Sequence, residues 1–306
     1  MRTRIAILAL SLIFPTAIAQ AEEPTPRIAV AYDIGFKGDG GFNDAVSAAL
    51  DLAKKRFDLV APFVREVPTS GTAVDRLTKL RFLAKSGYTL IITVGSGYRE
   101  TVRRVSMEYP ETQFAPINDK TLGQLNISNI YFDERDAARI AGTIAAARSR
   151  TKVVAVIAGS QEVNDAFKTS AKGVEVLQVP FDGDATTLTN SLQRADVVYS
   201  LWDRDAKVYQ AIVNRSARTF YIARNPDQHF ANLQSNQRVI AVIEKKLDKP
   251  ISQLVRLGLQ NRALIDVIDS ERGIYGRSYG VANGGITYKL RPGQAAVEKA
   301  LRELKG

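Results

Sequence analysis

The chain has 306 residues, with 42 Lys plus Arg against 32 Asp plus Glu for a formal net charge of +10, one histidine and no cysteine. Without cysteine there is no disulfide, thiolate metal site, cysteine nucleophile or lipid-modified N-terminal cysteine, and one histidine cannot make an H-E-x-x-H or comparable metal pattern. The basic residues lie along the whole length, on helix faces such as Arg76, Lys79, Arg99, Arg103 and Arg104, which reads as solvated surface rather than a nucleic-acid tract.

The first element is an export signal. Arg2 and Arg4 precede the apolar run Ile5–Ile18, and Ala19-Gln20-Ala21 has the small-x-small pattern that signal peptidase cuts. The run is shorter than the roughly 18 residues of a membrane span, and Glu22 and Glu23 follow at once. Residues 1–21 are therefore expected as a cleavable signal peptide, with the protein in the periplasm of a double-membraned bacterium and free of a lipid anchor. The rest exceeds what one core usually supports, so two lobes are expected.

Apolar strand-like runs then alternate with helical ones, the pattern of parallel βαβ units. Strands are predicted at about Ile28–Tyr32, Leu59–Val67, Leu90–Val94 and Gln113–Ile117, with helices over Asp44–Arg56, Ala73–Ser86 and Arg99–Tyr109. After Asn126–Phe132, a helix at Glu134–Arg150 opens a second series, with strands at Val153–Ala158, Val174–Val179, Val197–Leu201 and Thr219–Ile222. Val239–Ile243, a helix near Lys246–Arg262, a hairpin around Val281–Leu290 and a helix at Ala295–Leu304 complete it. The fold class is thus α/β, with two doubly wound, Rossmann-like lobes and a ligand cleft between them, able to close about a hinge.

The chemistry sits at strand ends. Ile28–Asn43 is an apolar strand running through a glycine-rich loop into a helix, where free N–H groups are expected to face ligand oxygens and Phe36, Asp39, Phe42 and Asn43 offer stacking and hydrogen bonds. The spacing is neither a dinucleotide fingerprint nor a P-loop. Asn118 and Asp119, Trp202 and Asp203, and Asn225 each follow a strand, where side chains face a cleft. A flat aromatic beside Asn or Asp suits a ring-bearing ligand with hydroxyls. His229, the lone histidine, reads as a surface or hinge residue, and Gly95-Ser96-Gly97 lacks the spacing of a nucleophile elbow. No catalytic set, metal site or cofactor is indicated.

Several segments taken together resemble the basic membrane protein family of ABC-transporter solute-binding proteins. Asp39-Gly40-Gly41-Phe42-Asn43 resembles its D-x-S-F-N loop. Thr93–Tyr98 followed by Glu108–Phe114 resembles its strand, glycine turn, helix and Y-P-x-x-x-F element. Asn126–Phe132 with Ala141–Ala146 is similar to its N-V-x-x-x-x-F and A-G-x-x-A-A segments, Asn225-Pro226-Asp227-Gln228 to its D-S-D-Q, and Val281–Ile286 to its late glycine hairpin. The resemblance covers nearly the whole mature chain.

It implies a type I periplasmic-binding fold, with an N-terminal lobe of 27–130 plus about 247–275 and a C-terminal lobe of 131–246 plus about 276–306. It further implies a monomeric periplasmic receptor that captures a small polar, nucleoside-like ligand and delivers it to an ABC permease in the inner membrane. A ligand-sensing subunit for a signalling receptor is the alternative. The ligand-binding residues expected are Phe36, Asp39, Phe42, Asn43, Gly95, Asn118, Asp119, Trp202, Asn225 and Lys245. The sequence departs from the family where Asn118 stands in the place of an Asp, which Asp119 takes only if the register slips by one, where Asn225 replaces Asp, where Ala241 and Val242 replace the Thr and Ser ahead of Lys245, and where Ser200–Arg204 replaces a glycine-rich stretch. Asn presents one acceptor and two donors where Asp accepts only, so the hydrogen-bond code differs.

Overall fold

The computed structural model describes residues 25–181, 183–203 and 205–305, so the expected signal peptide lies outside the described residues. In chain order the elements are β1 (Ile28–Tyr32), α1 (Phe42–Arg56), β2 (Val64–Val67), α2 (Ala73–Lys85), β3 (Leu90–Val94), α3 (Arg99–Glu108), β4 (Gln113–Ile117), β5 (Asn129–Phe132), α4 (Glu134–Arg148), β6 (Val153–Ile157), α5 (Gln161–Ser170), β7 (Glu175–Val179), α6 (Ala185–Ser191), β8 (Val197–Ser200), α7 (Lys207–Arg215), β9 (Phe220–Asn225), β10 (Val239–Lys245), α8 (Asp248–Gly258), β11 (Asp266–Asp269), β12 (Ile274–Tyr279), β13 (Ile286–Leu290) and α9 (Ala295–Lys305).

They form two mostly parallel sheets. The first has the order β11-β12-β5-β4-β3-β1-β2 and the second β13-β10-β9-β8-β6-β7. Strands such as β1, Ile-Ala-Val-Ala-Tyr, are buried throughout because both faces are covered. Ile28, Val30 and Tyr32 enter one core cluster with residues of α1 and α8, while Ala29 and Ala31 enter another with residues of α2 and α3. Helix starts are fixed locally. Asp133 caps α4 by accepting from the Arg135 N–H, and Thr72 caps α2 by accepting from the Asp75 N–H.

The chain crosses between the sheets three times: from β5 into α4, from β10 into α8, and from β12 to β13. Helix α8 packs on α1 of the first lobe. The last crossing comes at 280–285, after β12, rather than near 275. Val281–Leu290 is therefore not a hairpin: only Ile286–Leu290 is a strand, and it pairs antiparallel with β10. The Asn-Gly-Gly segment has turn chemistry, but it bends the chain from one sheet to the other. Asn283 holds that bend by donating to the Ser278 carbonyl and accepting from the Gly280 N–H. Among the described residues no helix is long and apolar enough to cross a membrane.

Candidate functional site

The carboxyl ends of β1, β3 and β4 face the loops after β8 and β9 across a cleft of about 440 Å³, within the usual range for small-molecule sites. A larger hollow of about 680 Å³ lies along Arg139, Val281, Tyr288 and Leu301 and shares no lining residue with this cleft.

The glycine loop forms part of the first wall. Its N–H groups do not point at a ligand, contrary to expectation, because the chain's own carboxylates take them. Asp39 Oδ1 accepts from Gly41 and Asp44, and its Oδ2 accepts from Asn43; Asp44 accepts from Gly38 and Gly40. Acidic residues at a helix start are satisfied in just this way. Phe42 and Asn43, in the first turn of α1, line the cleft, with the Asn43 amide donating to the Ile34 carbonyl at 3.2 Å. Phe36 does not line it: its ring packs edge-on against Tyr32, with centroids 5.5 Å apart.

Gly95 lines the wall at φ +112, where a Cβ would run into Asp33. Asp33 fills that space because Arg76 donates twice to its Oδ1, at 2.8 and 2.7 Å, and the Gly97 N–H donates to Oδ2. After β4, Asn118 is exposed at φ +62 and lines the cleft. The next residue, Asp119, also lines it but is buried with both oxygens engaged: Oδ2 accepts from Arg99 Nε at 2.7 Å, and Oδ1 accepts from the backbone and hydroxyl of Thr121.

The opposite wall is Asp203, Pro226, Asp227 and His229. Behind it is a buried ion cluster. Lys245 Nζ lies 2.6 Å from Glu134 Oε1 and 2.7 Å from Asp227 Oδ1. Arg224 Nη2 reaches the same two carboxylates at 2.9 and 3.4 Å, and its Nη1 donates to the Leu201 carbonyl. Asp227 Oδ2 is buried with no hydrogen-bond partner among the described residues. Buried Gln228 sets the loop, donating to the carbonyls of Ser200 and Trp202 and accepting from Tyr221 and the Arg224 N–H.

The charges tune one another. Burial alone would raise the Asp227 carboxyl, but Arg224 and then Lys245 outweigh it and hold the group below the ordinary carboxylate range. Burial likewise works against the Lys245 ammonium, and Asp227 and Glu134 overcome it, so its pKa rises. For Asp203 burial prevails over the attraction of Arg224, and its carboxyl is raised.

Besides Phe36, three more expected ligand residues do not reach the cleft lining. Trp202 turns into the second lobe's core and packs edge-on against Phe181 at 4.8 Å. Asn225 ends β9, with Pro226 and Asp227 beyond it forming the wall. Lys245 lies behind the wall in the ion cluster, 5.8 Å from the Phe42 ring of the other lobe. The geometry adds Ser96, Tyr98, Arg99, Pro226, Asp227 and His229 to the lining, together with Asp203. The imidazole bridges the lobes. A Cβ built on Gly41 would come within 3.1 Å of His229 Nδ1 and 3.6 Å of the Pro226 carbonyl, so a residue without a side chain lets the lobes approach there.

Two doubly wound lobes, three crossings and a polar cleft between strand ends define the solute-binding clamshell class. A family model described as ABC transporter substrate-binding protein PnrA-like (Bmp) matches residues 26–181, and the chain belongs to this family. An uncharacterized lipoprotein of Pyrococcus furiosus is 31% identical over 129 residues, 41% of this chain and 31% of that protein. The ABC transporter nucleoside-binding protein BmpA of Lactococcus lactis is 22% identical over 44% of this chain and 38% of its own length. The matched part of the chain thus spans about a third of the curated relatives. The crystal structure of an ABC transporter solute-binding protein from Aeropyrum pernix is similar in fold, with a TM-score of 0.65 at 21% identity over 91% of this chain and 86% of that one.

Proposed function

We propose that the protein is a periplasmic receptor of an ABC importer. It binds one small, ring-bearing polar molecule of nucleoside-like kind between its lobes, closes on it as a monomer and presents the closed form to a permease in the inner membrane. The observation that carries this reading is Asp227 Oδ2, a buried acceptor without a hydrogen-bond partner among the described residues, in the wall of a cleft of about 440 Å³. A buried polar atom of this kind is costly unless something donates to it, and a ligand hydroxyl or ring N–H would. Asn43 lines the same cleft from the first lobe, and Phe42 supplies an aromatic surface. Binding energy then closes the lobes by bending at the three crossings, with no bond made or broken.

The family is described as ABC transporter substrate-binding, and the Aeropyrum neighbour is a solute-binding protein. Nucleoside binding is named for the Lactococcus relative, which supports that ligand class here. Relatives are named lipoproteins, and these 306 residues hold no cysteine. Calorimetric titration of refolded, ligand-free protein with guanosine, adenosine and inosine tests the reading. One-to-one binding by at least one supports it, and silence from all three removes the nucleoside assignment.

A further inference from the structure

In the cleft and directly behind its wall, three elements among the described residues ordinarily attract anions, and each already holds a carboxylate of the chain itself. The N–H groups at the start of α1 are taken by Asp39. Arg99 is committed to Asp119. Arg224 and Lys245 are matched by Glu134, Asp227 and, more loosely, Asp203. Facing the cleft, the four carboxylates Asp39, Asp119, Asp203 and Asp227 stand against one guanidinium, Arg99, among the described lining residues. Asp203 differs from the other three. Its side chain is 45% exposed, and its Oδ2 is 3.7 Å from Arg224 Nη1, beyond hydrogen-bond distance. An anionic group entering the cleft meets the Asp203 charge and no unneutralised side chain of this buried cluster.

We propose that Asp203, backed by Arg224, is the specificity determinant that makes the cleft admit the neutral form of its ligand and reject phosphorylated or otherwise anionic forms. The inference rests on the receptor reading above and narrows its ligand class. Two like charges about 6 Å apart at a partly exposed site disfavour binding roughly a hundredfold, and salt screening brings this to about thirtyfold.

The test is calorimetry on the refolded, ligand-free full chain at pH 8, where a phosphate ester is dianionic. The probes are matched pairs: guanosine and its 5′-monophosphate, adenosine and its 5′-monophosphate, and myo-inositol and its 1-phosphate. The phosphate of whichever neutral member binds should be weaker by about thirtyfold or more. Asp203→Asn, which keeps the shape and removes the charge, should narrow that ratio by about fivefold or more, with an unchanged unfolding midpoint. Adding 0.5 M salt should narrow the ratio in the parent more than in the variant, by the screening of an exposed charge. Equal or tighter binding of a phosphate, or the same ratio in Asp203→Asn, overturns the proposal while leaving the receptor reading standing. No binding by any member of any pair overturns this proposal together with the nucleoside assignment.

Discussion

Replacing Lys245 by Met removes the central cation of the buried cluster while keeping a long apolar side chain in its place. Lys245 is only 5% exposed and lies 2.6 Å from Glu134 and 2.7 Å from Asp227. Breaking a buried ion pair by deleting one partner costs about 3–5 kcal/mol, because the other charge is left uncompensated. Arg224 remains within 2.9 Å of Glu134 and 3.4 Å of Asp227, which places the loss at the lower end, about 3 kcal/mol. For a domain of this size that is roughly 6–12 °C in melting temperature.

The pH dependence follows from the sign of the Asp227 shift. A carboxyl held below its unfolded value stabilises the fold above that value and loses the contribution as pH falls through the folded one. Lys245→Met lets the Asp227 carboxyl rise, so the gap between parent and variant should be full near pH 7 and narrow below about pH 4. Adding Asp227→Asn to the variant removes one of the stranded charges and should recover about 1 kcal/mol or more. Urea unfolding between pH 3.5 and 7 measures all three. A variant within 1 kcal/mol of the parent at pH 7, or a gap that widens on acidification, would refute the compensated-cluster account.

Other expectations follow from single sites. Gly95→Ala places a Cβ against Asp33 at a φ of +112 and should destabilise by about 1–3 kcal/mol, read by thermal unfolding; a neutral result would show that the loop is free to move. Gly41→Val inserts a side chain where His229 and Pro226 of the other lobe approach, so ligand dissociation in stopped flow should speed up while the unfolding midpoint changes little. Arg99→Leu leaves the buried Asp119 without its ion-pair partner and should lower stability by about 1–3 kcal/mol, an effect absent if the pair is merely a surface contact.

Much of the sheet framework was legible because buried parallel strands are continuous apolar runs. Ile28–Tyr32, Leu90–Val94 and Gln113–Ile117 occur at the expected residues. The second strand is shorter than its apolar composition suggests, Val64–Val67, because residues 61–63 form a turn and bend just before it. Strand β9 runs further than Thr219–Ile222, to Asn225, carrying Arg224 into the interior. A charged residue there argues against a strand until its partner Glu134, 90 positions away, is known. The edge pair β11 and β12 was not read at all, since its half-exposed, charge-bearing strands lack an apolar run.

Strand ends located the cleft, but side-chain direction there depends on tertiary neighbours. Trp202 turns toward Phe181, and Lys245 is drawn back by two carboxylates from different elements. Asp227 stood in plain view two residues after Asn225, in the segment that resembles D-S-D-Q. Nothing local marks which of the two residues faces the cleft.

The central claim, a ligand held between the two lobes, is tested most directly by titrating one binding nucleoside into the parent, Asn43→Ala and Asp227→Asn. These residues come from opposite walls. The account predicts one-to-one binding in the parent and a loss of about tenfold or more in each variant, the size of one hydrogen bond to a charged or buried partner. Unchanged affinity in either variant would contradict a site shared by both lobes.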